Sequence, residues 1–233
     1  MRLRHNPAAL LLGLLWGGGL SRAQTADQIL AQVADTYRSL NSYRIEGTIR
    51  SETDVRNSSY KSESEFVVAF AEPDRFRIEY RYPSAGTWLR TSDGKLFTTF
   101  RSISNQFHQE PADSSTIRVL RSSPIALFET IDRDAKNPVL AGSETIALDG
   151  QNHDCDVIRY DGPPRTLPTG ASQLPNKVWV DKGSHLVLRQ VTGTLTTAGA
   201  ETTKNERTTQ FTKIRVNEPL AATLFAVAEK ARP

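Results

Sequence analysis

Cysteine is almost absent from the chain, which has only Cys155 among its 233 residues. An internal disulfide is therefore excluded, and the fold must depend on its own hydrophobic core. A chain of this length can bury such a core within one domain. Hydrophobic residues make up 38% of the sequence and charged residues 24%, which is typical of a globular domain and not of a disordered chain.

Motifs of the common catalytic and cofactor sites are also missing. The sequence has no glycine-rich phosphate loop, no G-x-S-x-G, no H-E-x-x-H and no pair of closely spaced cysteines. The segment from His153 to Asp156 has metal-binding residue types, but neighbouring residues on a strand point to opposite faces. We therefore predict no cofactor, no metal site and no enzymatic activity. A pair of the scattered carboxylates meeting in space as acid and base stays open as an alternative.

A long apolar run occurs only near the N-terminus. Arg2 and Arg4 precede the apolar residues 8–15, and small residues follow at the position that a signal peptidase reads. The run is shorter than the ~20 residues of a spanning helix. We predict that residues 1–23 are a secretory signal peptide, with an uncleaved anchor as the alternative, and that residues 24–233 form one domain. No cysteine lies near the cleavage site, so we expect a periplasmic or secreted protein without a lipid anchor.

An excess of charge of one sign disappears once this segment is removed. Three of the 29 lysines and arginines lie in it, so the remaining basic residues equal the 26 acidic ones. The sequence pI of about 9.1 therefore reflects the targeting segment. We predict no nucleic-acid partner, because such proteins carry a basic surface.

Hydrophobic periodicity predicts one long helix, from Thr25 to Leu40. Ala26, Ile29, Leu30, Val33, Tyr37 and Leu40 fall on one stripe of a helix. Thr25 and Gln28 have the spacing of a capping box, which favours a helix start. This helix needs an apolar surface on which to lie.

The stretch from Pro73 to Phe100 predicts the centre of an antiparallel sheet. Aromatic and aliphatic residues alternate with charged ones from Arg75 to Tyr82, the period of a strand with one buried face. Asp93-Gly94 then marks a hairpin turn, because these residues tolerate positive φ. The arginines of this strand could bind an anion, although ion pairs with glutamates of neighbouring strands are the simpler interpretation.

The remaining pattern is also dominated by strands. Residues 54–62 are polar and predict a turn or a mobile hairpin end, and Ser123-Pro124 predicts a second helix, Pro124–Ile131. Residues 161–176 contain four prolines and two glycines and predict a long irregular loop. Further strands are predicted at residues 43–50, 65–71, 105–109, 144–148, 153–160, 177–180, 186–196 and 208–216. About ten mostly antiparallel strands with few helices indicate an α+β fold with a curved or barrel-like sheet.

The apolar face of this sheet is the strongest candidate for function. It is either a core covered by helices or the wall of a lipid-sized cavity, and periodicity does not separate the two. The candidate residues on it are Tyr43, Ile45, Ile49, Phe76, Ile78, Tyr80, Trp88, Phe97, Trp179 and Leu188.

Several motifs resemble those of the LolA-type outer-membrane lipoprotein carriers. They are the strand P-D-R-F-R-I-E-Y from Pro73, the segment L-R-T-S-D-G-K-L-F ending at Phe97, and the strand pair beginning at Val178. Phe211 to Asn217, followed by Pro219, resembles the C-terminal strand of that family. The resemblance covers most of the chain after residue 23.

The resemblance implies an incomplete, or half, β-barrel with a helical lid that holds acyl chains on its concave apolar face. The lid would use the side chains Ile29, Val33, Ile125 and Phe128. The leading hypothesis is a monomeric protein that binds a lipid or the acyl chain of a lipoprotein. The alternative is a sensor or envelope-assembly factor that binds a protein partner through an edge strand or the long loop.

Overall fold

The computed structural model of the protein describes residues 24–163 and 167–227. The predicted signal peptide lies outside the described residues. Helix α1 begins at Ala26 and ends at Arg38, two residues earlier than predicted. Its capping box is present: the Gln28 amide donates to the Thr25 hydroxyl, and the Thr25 amide donates to the Gln28 side chain. The stripe of α1 that includes Ile29 and Val33 is buried, as its spacing predicted.

Among the residues that the structure describes, eleven antiparallel strands form one sheet, which confirms the predicted fold of an open curved sheet with few helices. Their order across the sheet is β6-β5-β4-β3-β2-β1-β11-β10-β9-β8-β7, so nearly every strand pairs with its neighbour in sequence. The strands are β1 Ser42–Val55, β2 Ser58–Ala71, β3 Arg75–Tyr82, β4 Gly86–Asp93, β5 Leu96–Arg101, β6 Gln106–Pro111, β7 Lys136–Leu148, β8 Gln151–Asp161, β9 Ala171–Asp181, β10 Val187–Ala198 and β11 Glu201–Val216.

Two predicted irregular segments are largely strand. β1 ends at Val55 and β2 begins at Ser58, so residues 54–62 are a hairpin end, one of the two predicted forms, and the turn itself is limited to Arg56 and Asn57. Residues 58–63 of β2 are exposed, so no apolar alternation marks them. The long loop predicted at residues 161–176 is shorter than expected, because β9 already begins at Ala171.

The predicted helix Pro124–Ile131 is also wrong. This part of the chain consists of 3₁₀ turns, at Thr116–Ser122 and Phe128–Thr130, followed by the single α-helical turn α2, Ile131–Asp134. Ile125, Phe128 and Ile131 are buried, and their spacing of three residues suits the 3₁₀ period as well as an α-helix. We refer to residues 116–134 as the lid segment.

The core lies between α1, the lid segment and one face of the sheet, which we call the inner face. Phe128 contacts Tyr37 of α1 and Phe211 of β11, with ring centroids 5.0 and 6.0 Å apart. A bulge in β11 opposite Gly47 disrupts the pairing of β1 and β11. A Cβ atom on Gly47 would lie 2.3 Å from the backbone oxygen of Gln210, so this close approach requires glycine.

The C-terminal residues of the described chain pack on the outer face. Phe225 is buried in a 3₁₀ turn, and its carbonyl oxygen accepts a hydrogen bond from the Thr91 hydroxyl. Arg77 donates to the carbonyl oxygen of Leu224, and Arg75 lies over the Phe225 ring. Among the residues described, no helix is long and apolar enough to cross a bilayer.

Candidate functional site

The predicted apolar residues mostly fill the core beneath α1. Tyr80, Trp88 and Phe97 are partly exposed, and the other seven of the ten are buried. The predicted lid residues Ile29, Val33, Ile125 and Phe128 are buried against them in the same cluster. Nine of the ten residues lie on the inner face; Trp88 is outside the buried cluster there, and Trp179 belongs to that cluster but faces the other side of the sheet.

Trp179 is the one that stands apart. It pairs with Val157, whereas the alternate residues Val178 and Asn176 face the cleft side of β9. The Trp179 indole donates to a Glu144 carboxylate oxygen at 2.9 Å, and Arg189 lies over its ring. Trp179 thus belongs to a small polar network on the opposite face of β9.

The inner face changes character along each strand. On β1 the inward residues Ile45 and Ile49 are followed by Ser51 and Thr53. The residues of β11 that pair with Ser51 and Thr53 are Arg207 and Asn205, and Thr192 and Thr194 of β10 continue the two rows. The apolar core therefore ends near Ile49, and a polar half of the sheet begins there.

An open cleft of about 360 Å³ lies over this polar half. Its floor is formed by polar residues of β1, β9, β10 and β11, which include Thr53, Thr194 and Arg207. Its opposite wall is formed mainly by the aliphatic side chains of Leu127, Ile131 and Leu167, with the Asp134 carboxylate beside them. The cleft is thus amphipathic, with a hydroxyl-rich floor and an aliphatic wall.

Two further cavities continue the cleft across the sheet. One, of about 510 Å³, is lined by residues of β1 and β2, which include Ser62 and Ser64. The other, of about 220 Å³, is lined by Ile78, Tyr80, Tyr82, Trp88, Arg90, Ser122 and Arg207. Arg207 lines all three cavities, so together they form one groove along the inner face, from β4 to β8.

The sequence-based prediction missed the polar floor of this groove. Serines and threonines at inward positions look like the solvent face of a strand. Continuing the period of two from Ile45 and Ile49 to Ser51 and Thr53 is the one signal that points to them. Of the predicted residues, Ile49 lines the 510 Å³ cavity, Ile78, Tyr80 and Trp88 line the 220 Å³ cavity, and none lines the 360 Å³ cleft.

The charged side chains that line the groove are the cations Arg90, Arg207 and Lys61 and the carboxylates Glu52, Glu63, Asp134 and Glu206. Arg207 forms no ion pair or hydrogen bond with any described residue, and the Arg90 guanidinium donates to the Ser122 hydroxyl at 3.3 Å. Burial raises the pKa of the Tyr80 phenol, and the nearby Arg207 and Arg90 cations oppose this rise. The guanidinium groups of Arg207 and Arg90 are therefore close enough to the Tyr80 phenol to favour its ionised form, and both line the groove with it.

The arginine row of β3 has a structural role on the outer face. Glu79 is 5% exposed and pairs with Arg77 and Arg81. Burial alone would raise the pKa of Glu79, but the two cations hold it below its usual value. Most of these ion pairs lie within β3, and the predicted pairing with a glutamate of a neighbouring strand is present between Arg81 and Glu65 of β2.

The residues with metal-ligand chemistry lie apart from the groove. His153 Nδ1 is 3.2 Å from an Asp181 oxygen, and Cys155 is buried beside them. Burial and the neighbouring carboxylates raise the pKa of the Cys155 thiol to about 11. Within residues 24–163 and 167–227, no three histidine, cysteine or acidic side chains converge as a metal site would require.

A family model described as "Predicted periplasmic protein (DUF2092)" matches residues 26–126. No curated protein matches the chain.

Solved structures similar to the chain include one from the MucA/MucB complex of Pseudomonas aeruginosa. That match has 14% identity and a TM-score of 0.44, and it covers 87% of this chain but only 61% of the other. A LolA superfamily protein from Nitrosomonas europaea has 12% identity and a TM-score of 0.34, with 88% and 99% of the two chains covered. A putative outer-membrane lipoprotein-sorting protein domain from Vibrio parahaemolyticus has 11% identity and a TM-score of 0.34, with 86% and 97% covered. One of these structures is of the superfamily that the sequence motifs resemble.

Proposed function

We propose that the protein is a periplasmic binding protein that holds a lipid or acylated ligand non-covalently in the groove of its inner face. The observation that carries this proposal is the incomplete cover of the sheet: α1 and the lid segment close the apolar half and leave the groove open. The description of the matched family supports the periplasmic location. The proposed role requires no catalytic residue and no cofactor.

The walls of the groove suit an amphiphile. An acyl chain lying against Leu127, Ile131 and Leu167 would gain about 0.8 kcal/mol for each CH₂ group that leaves water. The hydroxyl-rich floor offers hydrogen bonds to the polar part of the ligand. The volume of the cleft, about 360 Å³, falls within the range of roughly 300–1,000 Å³ that ligand sites occupy.

The apolar residues predicted from the sequence enter this proposal in two ways. Ile78, Tyr80 and Trp88 contribute directly to the walls of the groove. The buried ones, such as Ile45 and Phe76, would meet a ligand only when the lid segment lifts away. A long acyl chain would therefore bind by displacing the lid, whereas a short one would fit in the groove.

The test is the lipid content of protein purified without detergent, measured by native mass spectrometry and by extraction. Uptake of a fluorescent fatty acid gives a second readout. Thr194→Trp places an indole in the cleft, and we expect it to abolish uptake. Thr202→Trp, at an exposed position of β11, is the matched control and should bind normally. Absence of both co-purifying lipid and uptake in the unmodified protein would refute the proposal.

A protein partner is the second candidate, and the edge strand β7 favours it. Val139 and Leu140 are 49% and 44% exposed on this strand, which has an unpaired side. Exposed edges of this kind accept an added strand from another chain. If β7 binds an envelope protein, replacing both residues with lysine should abolish co-purification of that protein while leaving fatty-acid uptake intact.

A further inference from the structure

Three arginines surround Trp88 without a carboxylate partner among the residues that the structure describes. The guanidinium carbons of Arg90 and Arg101 each lie 4.7 Å from the centre of its ring. Arg207 completes the set on the neighbouring side of Tyr80. Nine other described arginines each pair with a carboxylate, whereas Arg75, Arg118, Arg121 and Arg159 do not, and none of these four lines the cavity beside Trp88.

The 220 Å³ cavity between these residues has no acidic side chain in its walls. Arg90 and Arg207 line it together with three aromatic rings and the Ser122 hydroxyl. We call it the anion pocket. Two cations that face a cavity without a compensating carboxylate raise its electrostatic potential, and the low-dielectric aromatic walls strengthen this field.

We propose that the anion pocket binds the oxyanion head group, a phosphate or a carboxylate, of an amphiphile whose acyl chain lies along the groove. Guanidinium groups donate pairs of parallel hydrogen bonds that match the geometry of both oxyanions. The Ser122 hydroxyl donates to the Val119 carbonyl oxygen and accepts from Arg90, so it holds the Arg90 guanidinium at the pocket. Because Arg207 also lines the 360 Å³ cleft, the head group and the chain would bind in continuous cavities.

This inference rests on the proposed function, because the acyl chain must occupy the groove. It goes further by naming the charge of the ligand and the side chains that select it. A neutral amphiphile of the same chain length would gain the apolar contacts but not those of the arginines.

The experiment is isothermal titration calorimetry of the full chain with four probes at low salt. They are dodecyl phosphate, laurate, 1-lauroylglycerol and inorganic phosphate, with each amphiphile kept below its micelle concentration. We expect dodecyl phosphate and laurate to bind at least tenfold more tightly than 1-lauroylglycerol. We expect this preference to shrink at high salt, since charge–charge attraction is screened.

The decisive variant is the double substitution Arg90→Gln and Arg207→Gln. Each substitution removes one charge-assisted contact. The loss of each contact should weaken the binding of dodecyl phosphate and of laurate by about tenfold. The affinity for 1-lauroylglycerol should not change. Arg159→Gln is the matched control, because Arg159 is an exposed arginine without an ion pair among the described residues, on the face of β8 away from the cleft.

The outcomes separate this inference from the proposed function. Equal affinity for charged and neutral amphiphiles, unaffected by the double substitution, would overturn the anion pocket and leave the lipid-binding proposal standing. Binding of inorganic phosphate that is lost in the double variant, without binding of any amphiphile, would support the pocket's anion chemistry and refute the lipid. No binding of any probe would refute both.

Discussion

Replacing Phe128 with alanine tests whether the lid segment is fastened to the sheet. The Phe128 side chain is fully buried, and it is the residue of the lid segment that joins α1 to β11. Its ring packs against Tyr37 on one side and Phe211 on the other. Removing the ring leaves a cavity between these two elements, because the sheet beneath it cannot collapse to fill the space.

The expected cost is a loss of about 3–5 kcal/mol in the free energy of unfolding, the range for deleting a buried phenylalanine. We expect a loss at the high end of this range, because Phe128 makes two aromatic contacts. Each aromatic pair adds about 0.5–1.5 kcal/mol beyond the area that it buries. A typical domain has about 5–15 kcal/mol in total. We therefore expect Phe128→Ala to fold but to unfold at a much lower urea concentration.

The assay is urea unfolding followed by circular dichroism, with fatty-acid uptake measured in parallel. Ile103→Ala is the control, because Ile103 is 70% exposed and its loss should change stability by no more than about 0.5 kcal/mol. The loosened lid should also speed uptake of long acyl chains. A loss of less than about 1 kcal/mol in Phe128→Ala, with an unchanged slope against urea, would refute the packing of the lid on the sheet.

Three further predictions concern other parts of the molecule. Glu79→Gln should make the free energy of unfolding depend less on pH in the acid range. The carboxylate of Glu79, whose pKa is lowered in the folded protein, stabilises the fold at pH values above 4.5, its pKa in the unfolded chain. This contribution is lost as the pH falls through the folded pKa. Gly47→Ala should destabilise the sheet by more than 2 kcal/mol, roughly the cost of overpacking, because the new Cβ would meet the backbone of β11. Cys155 should react with a thiol reagent at neutral pH only after unfolding, because it is buried and its pKa is raised.

Each of these predictions has an outcome that would contradict it. If the free energy of unfolding of the Glu79 variant and of the unmodified protein changed equally between about pH 6 and pH 3, the ion pairs of Glu79 would not contribute to acid stability. A Gly47→Ala protein of unchanged stability would mean that β1 and β11 lie further apart. Rapid labelling of Cys155 in the folded protein would mean that its strand opens readily.

Local patterns in the sequence were sufficient to predict the elements that are stabilised by contacts between residues close together in the chain. Helix α1 follows from its stripe and capping box, and the Asp93-Gly94 turn from its residue types. The lid segment was harder, since a spacing of three residues fits both kinds of helix. The face of the sheet on which Trp179 lies was harder still to predict. It is determined by how β9 pairs through β10 with β11, and the alternation within β9 does not show it.

The groove could not be predicted for a related reason. Its floor forms only when Ser51 of β1 meets Arg207 of β11 and Thr192 of β10, and these residues are far apart in sequence. Polar inward residues also lack the apolar alternation that identifies a buried face. The sequence therefore identified the covered half of the inner face and not the open half.

The pairing of β1 with β11 has a consequence for the order of folding. On each side of this pair the strands follow one another as simple hairpins, from β1 to β6 and from β7 to β11. Among the described strands, the two halves pair with each other only at this seam, where residues near opposite ends of the described chain meet, as Tyr43 does with Val216. Closing such a long loop is slow compared with forming hairpins, so we expect this seam to form last. The groove crosses the seam, so a ligand that fills it would contact both halves. Such a ligand would shift the equilibrium towards the state in which β1 and β11 are paired.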